Sequence, residues 1–279
     1  MERDNFSTVR SINQKLGHLL WKGVSKVLSV GPVPTHIAFI MNGNRRYEQN
    51  LNLVKGTGHR AGLQSMLTML MHCCELGIKY VTVYAFSIDN FKRKPEEVKR
   101  VMDLLKFTFE LLTEKSSIAH RYGIKFHFSG NLDLLSEHVL NAAKELMAKT
   151  TNYTKFVFTF CIAYTSTDEM VHAIQETCEE RQCQMRELKR NGGDYEAEKP
   201  VKVVDIEKHM YMAIAPDPDI VVRTAGENRL SNFLLWQTAN SDLYSTPTLW
   251  PEMNFWNLAL AVLEFQRNHS YLEKKKKLL

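Results

Sequence analysis

Past Pro34 the chain alternates between two hydrophobic rhythms. Short apolar runs rich in Val, Ile, Phe and Tyr occupy 35–41, 78–86, 123–129, 155–164 and 219–223, with a weaker one around 243–249. Between them apolar residues return at helical spacing, as in Val98, Val101, Met102, Leu105, Phe109 and Leu112. Strand-sized runs alternating with helical stretches predict an α/β fold, a single domain with a six-stranded, mostly parallel sheet flanked by helices. In such a sheet the loops at the C-terminal ends of the strands carry the site.

Residues 1–30 stand apart as a predicted N-terminal amphipathic helix. Ile12, Leu16, Leu19, Leu20, Val24, Val27 and Leu28 fall on one stripe, while Lys15, Lys22 and Lys26 lie off it. Such a helix either packs on the body of the protein or, as Trp21 and the lysines would favour, lies on a membrane surface. Residues 31–279 read as one domain with a charged insertion around 180–202. There "EERQCQMRELKRNGGDYEAEKPVK" is broken by Gly192, Gly193 and Pro200, which predicts a helix end followed by a surface insertion. No apolar run reaches the roughly 18 residues of a spanning helix, and no signal-peptide core is present, so a soluble or peripheral chain is expected.

Composition narrows the picture only a little. A chain of 279 residues, 44% hydrophobic, can bury one large core. Its 36 Lys and Arg against 31 Asp and Glu leave +5, too mild a balance to imply nucleic acid. Cysteines at 73, 74, 161, 178 and 183 are odd in number and lack metal-type spacing, which argues against a disulfide framework or zinc site and fits a reducing environment.

Local chemistry is more informative. The run "FIMNGNRRY" ends a strand at Met41 and turns through Asn42, Gly43 and Asn44 into Arg45 and Arg46. Backbone N–H groups at such a turn, next to a helix start, suit an anion, and the guanidinium forks match phosphate oxygens. The second strand opens into "SIDNFKR", with Ser87, Asn90 and Arg93, and the fifth into "TAGENRLSNFLLWQ", where Arg223, Arg229 and Ser231 stand together. Arginines gathered at several strand ends imply a strongly anionic ligand, such as two diphosphates. His59 in "GTGHRAG" is a further candidate donor. A nucleotide-binding α/β reading is weaker, because "MNGNRR" has neither the Lys-Ser/Thr ending of a P-loop nor dinucleotide glycine spacing.

These landmarks, in this order, resemble the cis-prenyltransferases, the family of undecaprenyl and dehydrodolichyl diphosphate synthases. The family's Asp-Gly-Asn-x-Arg loop corresponds to "NGNRR", its Gly-His-x-x-Gly turn to "GHRAG", and "YAFSIDNFKR" and "RTAGENRLSNFLLWQ" followed by "LWPE" complete the match from about Pro34 to His269. The segment "CIAYTSTDE" is most similar to plant enzymes of dolichol-type or rubber-type chains. The resemblance implies that Gly43, Asn44, Arg45, Arg46, His59, Ser87, Asn90 and Arg93 surround an allylic diphosphate primer. Arg223, Arg229 and Ser231 would bind isopentenyl diphosphate, with Mg²⁺ between the two. Asn42 and Asn90 take the catalytic positions, and Asn42 and Asp242 of "SDLYS" take those of the metal ligands. The implied reaction joins isopentenyl diphosphate to the primer with a new cis alkene, and the apolar helix from Val98 to Leu112, packed beside the helix after Gly58, either lines a tunnel for the growing tail or is ordinary core.

Two departures from the family pattern stand out. Asn42 replaces an acid, and an amide is a poorer ligand for a hard cation, so reduced turnover is expected. The Arg-x-Gly element that single-subunit members carry near their C-terminus has no counterpart in "RNHSYLEKKKKLL". The resemblance therefore implies a catalytic subunit that works with a Nogo-B-receptor-like partner, peripheral to the cytosolic face of the endoplasmic reticulum membrane. A non-catalytic binding or scaffold subunit is the alternative. Against it, such subunits lose the arginine ligands that this chain keeps.

Overall fold

A computed structural model of the protein describes residues 20–190 and 200–276. Strands β1 (His36–Ile40), β2 (Tyr80–Ser87), β3 (Ile124–Ser129), β4 (Phe156–Tyr164), β5 (Ile220–Arg223) and β6 (Asp242–Ser245) form one sheet. Its order is β3-β4-β2-β1-β5-β6, and every neighbouring pair is parallel. All six apolar runs are strands. The weakest of them is shorter than the pattern suggests and ends at Ser245.

Helices α2 (Asn44–Asn50), α3 (Thr57–Leu76), α4 (Pro95–Thr113), α5 (Ile118–Tyr122), α6 (Glu137–Thr150), α7 (Ser166–Arg190), α8 (Val203–Glu207) and α9 (Phe255–Lys276) flank it. Central strand β1 is buried at all five positions, as a strand covered on both faces must be. Phe109 of α4 meets Phe128 and Phe160 edge-on, so α4 covers the β3-β4 side with aromatic side chains. All five cysteines are free thiols.

The described end of the N-terminal helix, α1 at 20–28, packs on the body. Trp21 is fully buried, its ring 4.8 Å from His72 and 5.9 Å from Phe255, and Leu28 is buried one face along. Gln266 of α9 donates to the Leu28 carbonyl at 2.7 Å. This corrects the use of Trp21 as a membrane anchor, because its indole has no solvent face to offer. It also corrects the stripe, since Leu20 and Val27 point outward. Residues 1–19 of the predicted helix lie outside the described residues. Helix α7 runs on to Arg190, so the insertion begins later than its charge density suggests, and 191–199 lie outside the described residues. Among the described residues no helix is long and apolar enough to cross a membrane.

Candidate active site

The turn after β1 is built by three constraints. Gly43 caps α2 at φ 109°, a left-handed conformation that favours glycine, and its would-be Cβ would lie 3.0 Å from Leu249. The backbone of Asn42 is held from both sides, its N–H donating to Thr224 Oγ1 at 2.8 Å while its carbonyl accepts from Thr224 Oγ1 at 2.7 Å and Trp250 N at 2.9 Å. The Asn42 side chain is thereby presented to a cavity of about 680 Å³ at the strand ends.

The "GHRAG" turn has a structural role that its spacing does not announce. Gly58 and Gly62 let α3 pass against the start of α2, where a Cβ on Gly58 would lie 2.0 Å from the Asn44 carbonyl oxygen and one on Gly62 would lie 2.3 Å from Asn44 Oδ1. Glu48 of α2 completes the joint by accepting from Gly56 N at 2.7 Å and Gly58 N at 3.1 Å, which satisfies free donors at the start of α3. His59 then faces the cavity. Burial lowers its pKa, with the Arg93 and Arg45 charges adding to the fall and Glu48 and Glu97 opposing it. A neutral imidazole results near pH 7.

Strand β2 does not open into an irregular loop. Ser87 caps a single 3₁₀ turn (Ile88–Lys92), its Oγ accepting from Asp89 N at 3.2 Å while Asn90 Oδ1 accepts from Ser87 N at 3.2 Å. This reciprocal cap aims Ser87, Asn90 and Arg93 at the same cavity. At β5, the segment after Arg223 is tied to the start of α7: Ser166 N donates to the Asn232 carbonyl at 2.8 Å and Leu235 N donates to Ser166 Oγ at 2.8 Å. Ser231 and Asn232 take positive φ there, and Arg223 Nη1 donates to Ser231 Oγ at 2.9 Å. Arg223 is buried with its Nε unpartnered, and burial followed by the nearby Arg229 charge lowers its pKa.

The structure therefore gathers Asn42, Gly43, Asn44, Arg45, Arg46, His59, Ser87, Asn90, Arg93, Arg223, Arg229 and Ser231 around one cavity. It does not bring Asp242 there. Asp242 sits opposite Ile220 at the start of β6, three residues before Ser245, the partner of Arg223 at the cavity end. Its carboxylate accepts from Asn268 Nδ2 at 3.2 Å, and burial raises its pKa. In a parallel strand that offset is about 10 Å along the sheet, so within this chain Asp242 and Asn42 do not share an ion.

Tyr84, Glu227 and Asn232 also line the cavity, and Thr224 braces it. Spacing alone did not single them out, although each lies within a quoted motif or strand. Tyr84 stacks on Phe233 at 4.5 Å, and burial pushes its pKa up to about 12, so it remains a phenol. Among the described residues no cluster of three His, Cys, Asp or Glu is placed to hold a metal. Beside the Asp89 and Glu227 carboxylates, each paired with a basic side chain, the cavity offers neutral oxygen donors from Asn42, Asn90, Ser87 and Ser231 among guanidiniums. That donor set suits a hard cation carried largely by phosphate oxygens and water, as Mg²⁺ commonly is.

A parallel α/β sheet with guanidiniums converging at its strand ends defines a site for densely anionic ligands. The family profile described as "Putative undecaprenyl diphosphate synthase" matches residues 40–272, and the chain belongs to that family, the cis-prenyltransferases. It is 49% identical over 288 residues to dehydrodolichyl diphosphate synthase CPT3 of Solanum lycopersicum, covering 99% of both chains. It is 40% identical over 258 residues to the human dehydrodolichyl diphosphate synthase complex subunit DHDDS, covering 91% of this chain and 74% of that one. The fold is that of lavandulyl diphosphate synthase from Lavandula x intermedia, solved in complex with dimethylallyl diphosphate. That match has a TM-score of 0.72 at 24% identity and covers 84% of this chain and 95% of the other.

Proposed function

We propose that the protein is a cis-prenyl chain-elongating transferase that condenses isopentenyl diphosphate onto an allylic diphosphate such as farnesyl diphosphate, giving a long, dehydrodolichyl-like polyprenyl diphosphate. One observation carries this reading: two groups of guanidiniums line a single cavity. Arg93 and Arg45 meet at Glu97, at 3.0 and 3.7 Å, on the side of α4. Arg46, Arg223 and Arg229 form the other group, since Arg46 Nη2 donates to the Ala225 carbonyl at 2.8 Å. The adjacent Arg45 and Arg46 thus serve different sides, which refines the assignment of both to the primer.

The cavity adjoins a larger cleft of about 1730 Å³ between α3 and α4, and the two share Arg45, His59 and Val101. Leu63, Leu67, Leu104, Phe107 and Leu111 line that cleft, which supports its use by the apolar tail of the primer and product. Arg45 and Arg93 would hold the allylic diphosphate as its carbon–oxygen bond breaks and the electron pair leaves with the diphosphate. Arg223, Arg229 and Ser231 would hold isopentenyl diphosphate so that its double bond attacks the freed allylic carbon, after which a proton is lost to leave the cis alkene. Mg²⁺, held by Asn42 Oδ1 with diphosphate oxygens, would supply positive charge to the departing group.

Asn42 also motivates a second reading, a non-catalytic scaffold subunit, and the retained arginines count against it. The partner reading draws support from the complex-subunit description of the human relative. Exposed Trp256, Leu260, Leu263 and Tyr271 on α9, with Leu243 on edge strand β6, provide an apolar surface for such a subunit. Peripheral attachment to the endoplasmic reticulum now relies on the outward Leu20, Val27 and Val30. Incubation with farnesyl diphosphate and labelled isopentenyl diphosphate, with and without a Nogo-B-receptor-like subunit, tests the activity and the partner together. Absence of labelled polyprenyl product in every combination would favour the scaffold.

The two groups predict separable losses. Arg93→Ala is expected to weaken the allylic diphosphate and Arg229→Ala isopentenyl diphosphate, each by about 1.5–3 kcal/mol, the worth of a charge-assisted contact. Binding measured for each ligand alone checks this, and equal losses for both ligands in both variants would contradict the division.

A further inference from the structure

Two acids line the cavity, Asp89, which pairs with Lys92, and Glu227, whose negative charge pairs instead with the cavity's own arginines. Glu227 lies among arginines that should meet phosphate, yet it is held there firmly. Its backbone carbonyl accepts from Ser245 Oγ at 3.0 Å, while Ala225 N and Gly226 N donate to the Thr248 and Thr246 carbonyls at 2.8 and 2.9 Å. The loop is thus riveted to the end of β6 and the segment after it, so that any movement of Glu227 falls to its side chain. Its two carboxylate oxygens are divided between two arginines from different strand ends. Oε1 lies 3.7 Å from Arg46 Nη2, and Oε2 accepts from Arg229 Nη1.

This is the arrangement that a phosphate group would make with the same two forks. Arg229 repels Arg223, whose Nη1 donates to the Ser231 hydroxyl, and Glu227 acts in the opposite sense on Arg223. Without an anion between them, three guanidiniums would face one another in a partly desolvated pocket.

We propose that Glu227 is a built-in counter-anion: it spans Arg46 and Arg229 in the ligand-free site and swings out when a diphosphate takes its place, so that binding proceeds by exchange of a carboxylate for phosphate. The proposal rests on the reading of this cavity as a diphosphate site. Exchange has two consequences. The arginines stay aimed between turnovers, and an entering anion must outbid a tethered carboxylate, which a diphosphate does better than a single phosphate. The carboxylate also returns to displace the diphosphate that remains after each condensation. Ion pairs with this exposure contribute little to stability, so the substitution leaves the fold intact.

The test is calorimetric titration of inorganic pyrophosphate and inorganic phosphate into the full chain, as wild type, Glu227→Gln and Glu227→Asp, with thermal unfolding of each protein alongside. Glu227→Gln is expected to bind pyrophosphate about tenfold more tightly, equivalent to about 1.4 kcal/mol, and to gain more for phosphate, narrowing the preference between them. Glu227→Asp, which keeps the charge, is expected to stay near wild type. Unchanged or weaker pyrophosphate binding by Glu227→Gln with unaltered unfolding would overturn the exchange and make Glu227 a support for the arginines. Equal tightening by Glu227→Asp would overturn it too, by showing that charge is not the cause. A wild-type chain that binds no pyrophosphate at all would remove the diphosphate reading itself, and the exchange with it.

Discussion

Asn42→Asp is expected to raise turnover by about 10²-fold or more, while the affinity for the allylic primer changes much less. The backbone of residue 42 is clamped by Thr224 and Trp250, so the substitution replaces an amide nitrogen with a charged oxygen and moves little else. That oxygen would contribute a stronger ligand for Mg²⁺ beside the departing diphosphate, where charge grows only as the bond breaks. An interaction made mainly in the transition state appears in kcat and not in ground-state binding. Single-turnover rates and primer affinity, measured for both forms with a Nogo-B-receptor-like subunit present, decide it. Equal rates would mean that residue 42 is not the point at which the ion acts, and would remove the physical basis for calling Asn42 an impairment.

Gly58→Ala is expected to destabilise the protein by about 3 kcal/mol and to weaken both diphosphates. The new methyl would lie 2.0 Å from the Asn44 carbonyl oxygen and 2.9 Å from its carbon, and backbone atoms cannot rotate aside as a side chain can. Helices α2 and α3 must separate, which also strains the bonds from Glu48 to Gly56 and Gly58. Because Asn44, Arg45 and Arg46 ride on the first turn of α2, the displacement reaches both guanidinium groups at once. Urea unfolding and pyrophosphate titration of the same preparation check the two effects. A Gly58→Ala protein of wild-type stability would show that the helices have slack that the contacts do not suggest.

Much of this architecture was legible along the chain. Strand and helix positions were readable because side-chain alternation is a local property: residues two apart share a face of a strand and residues three or four apart share a face of a helix, whatever else the chain does. The parallel arrangement followed from helices interposed between strands, and the strand-end rule then directed attention to the loops bearing Asn42, Asn90, Arg93, Arg223 and Arg229. The orientation of α1 was less readable, since a stripe of seven apolar residues admits a neighbouring stripe one position round. The complementary surface of His72 and Phe255 selected Trp21 for burial, while Leu28 is buried too and Val27 is left outside.

The sequence by itself determined the elements, their alternation and the gathering of arginines at the strand ends. Tertiary structure alone decided which arginine answers to which acid: Glu97 reaches back to Arg45 from another helix, and Glu227 joins Arg46 of α2 to Arg229 of the loop after β5. It alone placed Asp242 about 10 Å along the sheet from the cavity end, a distance that its position in a matching motif does not reveal. It alone explained Gly58 and Gly62, whose value is the absence of atoms where α2 approaches. Periodicity is set by bonds between near neighbours, whereas charge pairing and steric clearance act through space between residues brought together only when the sheet and its helices close.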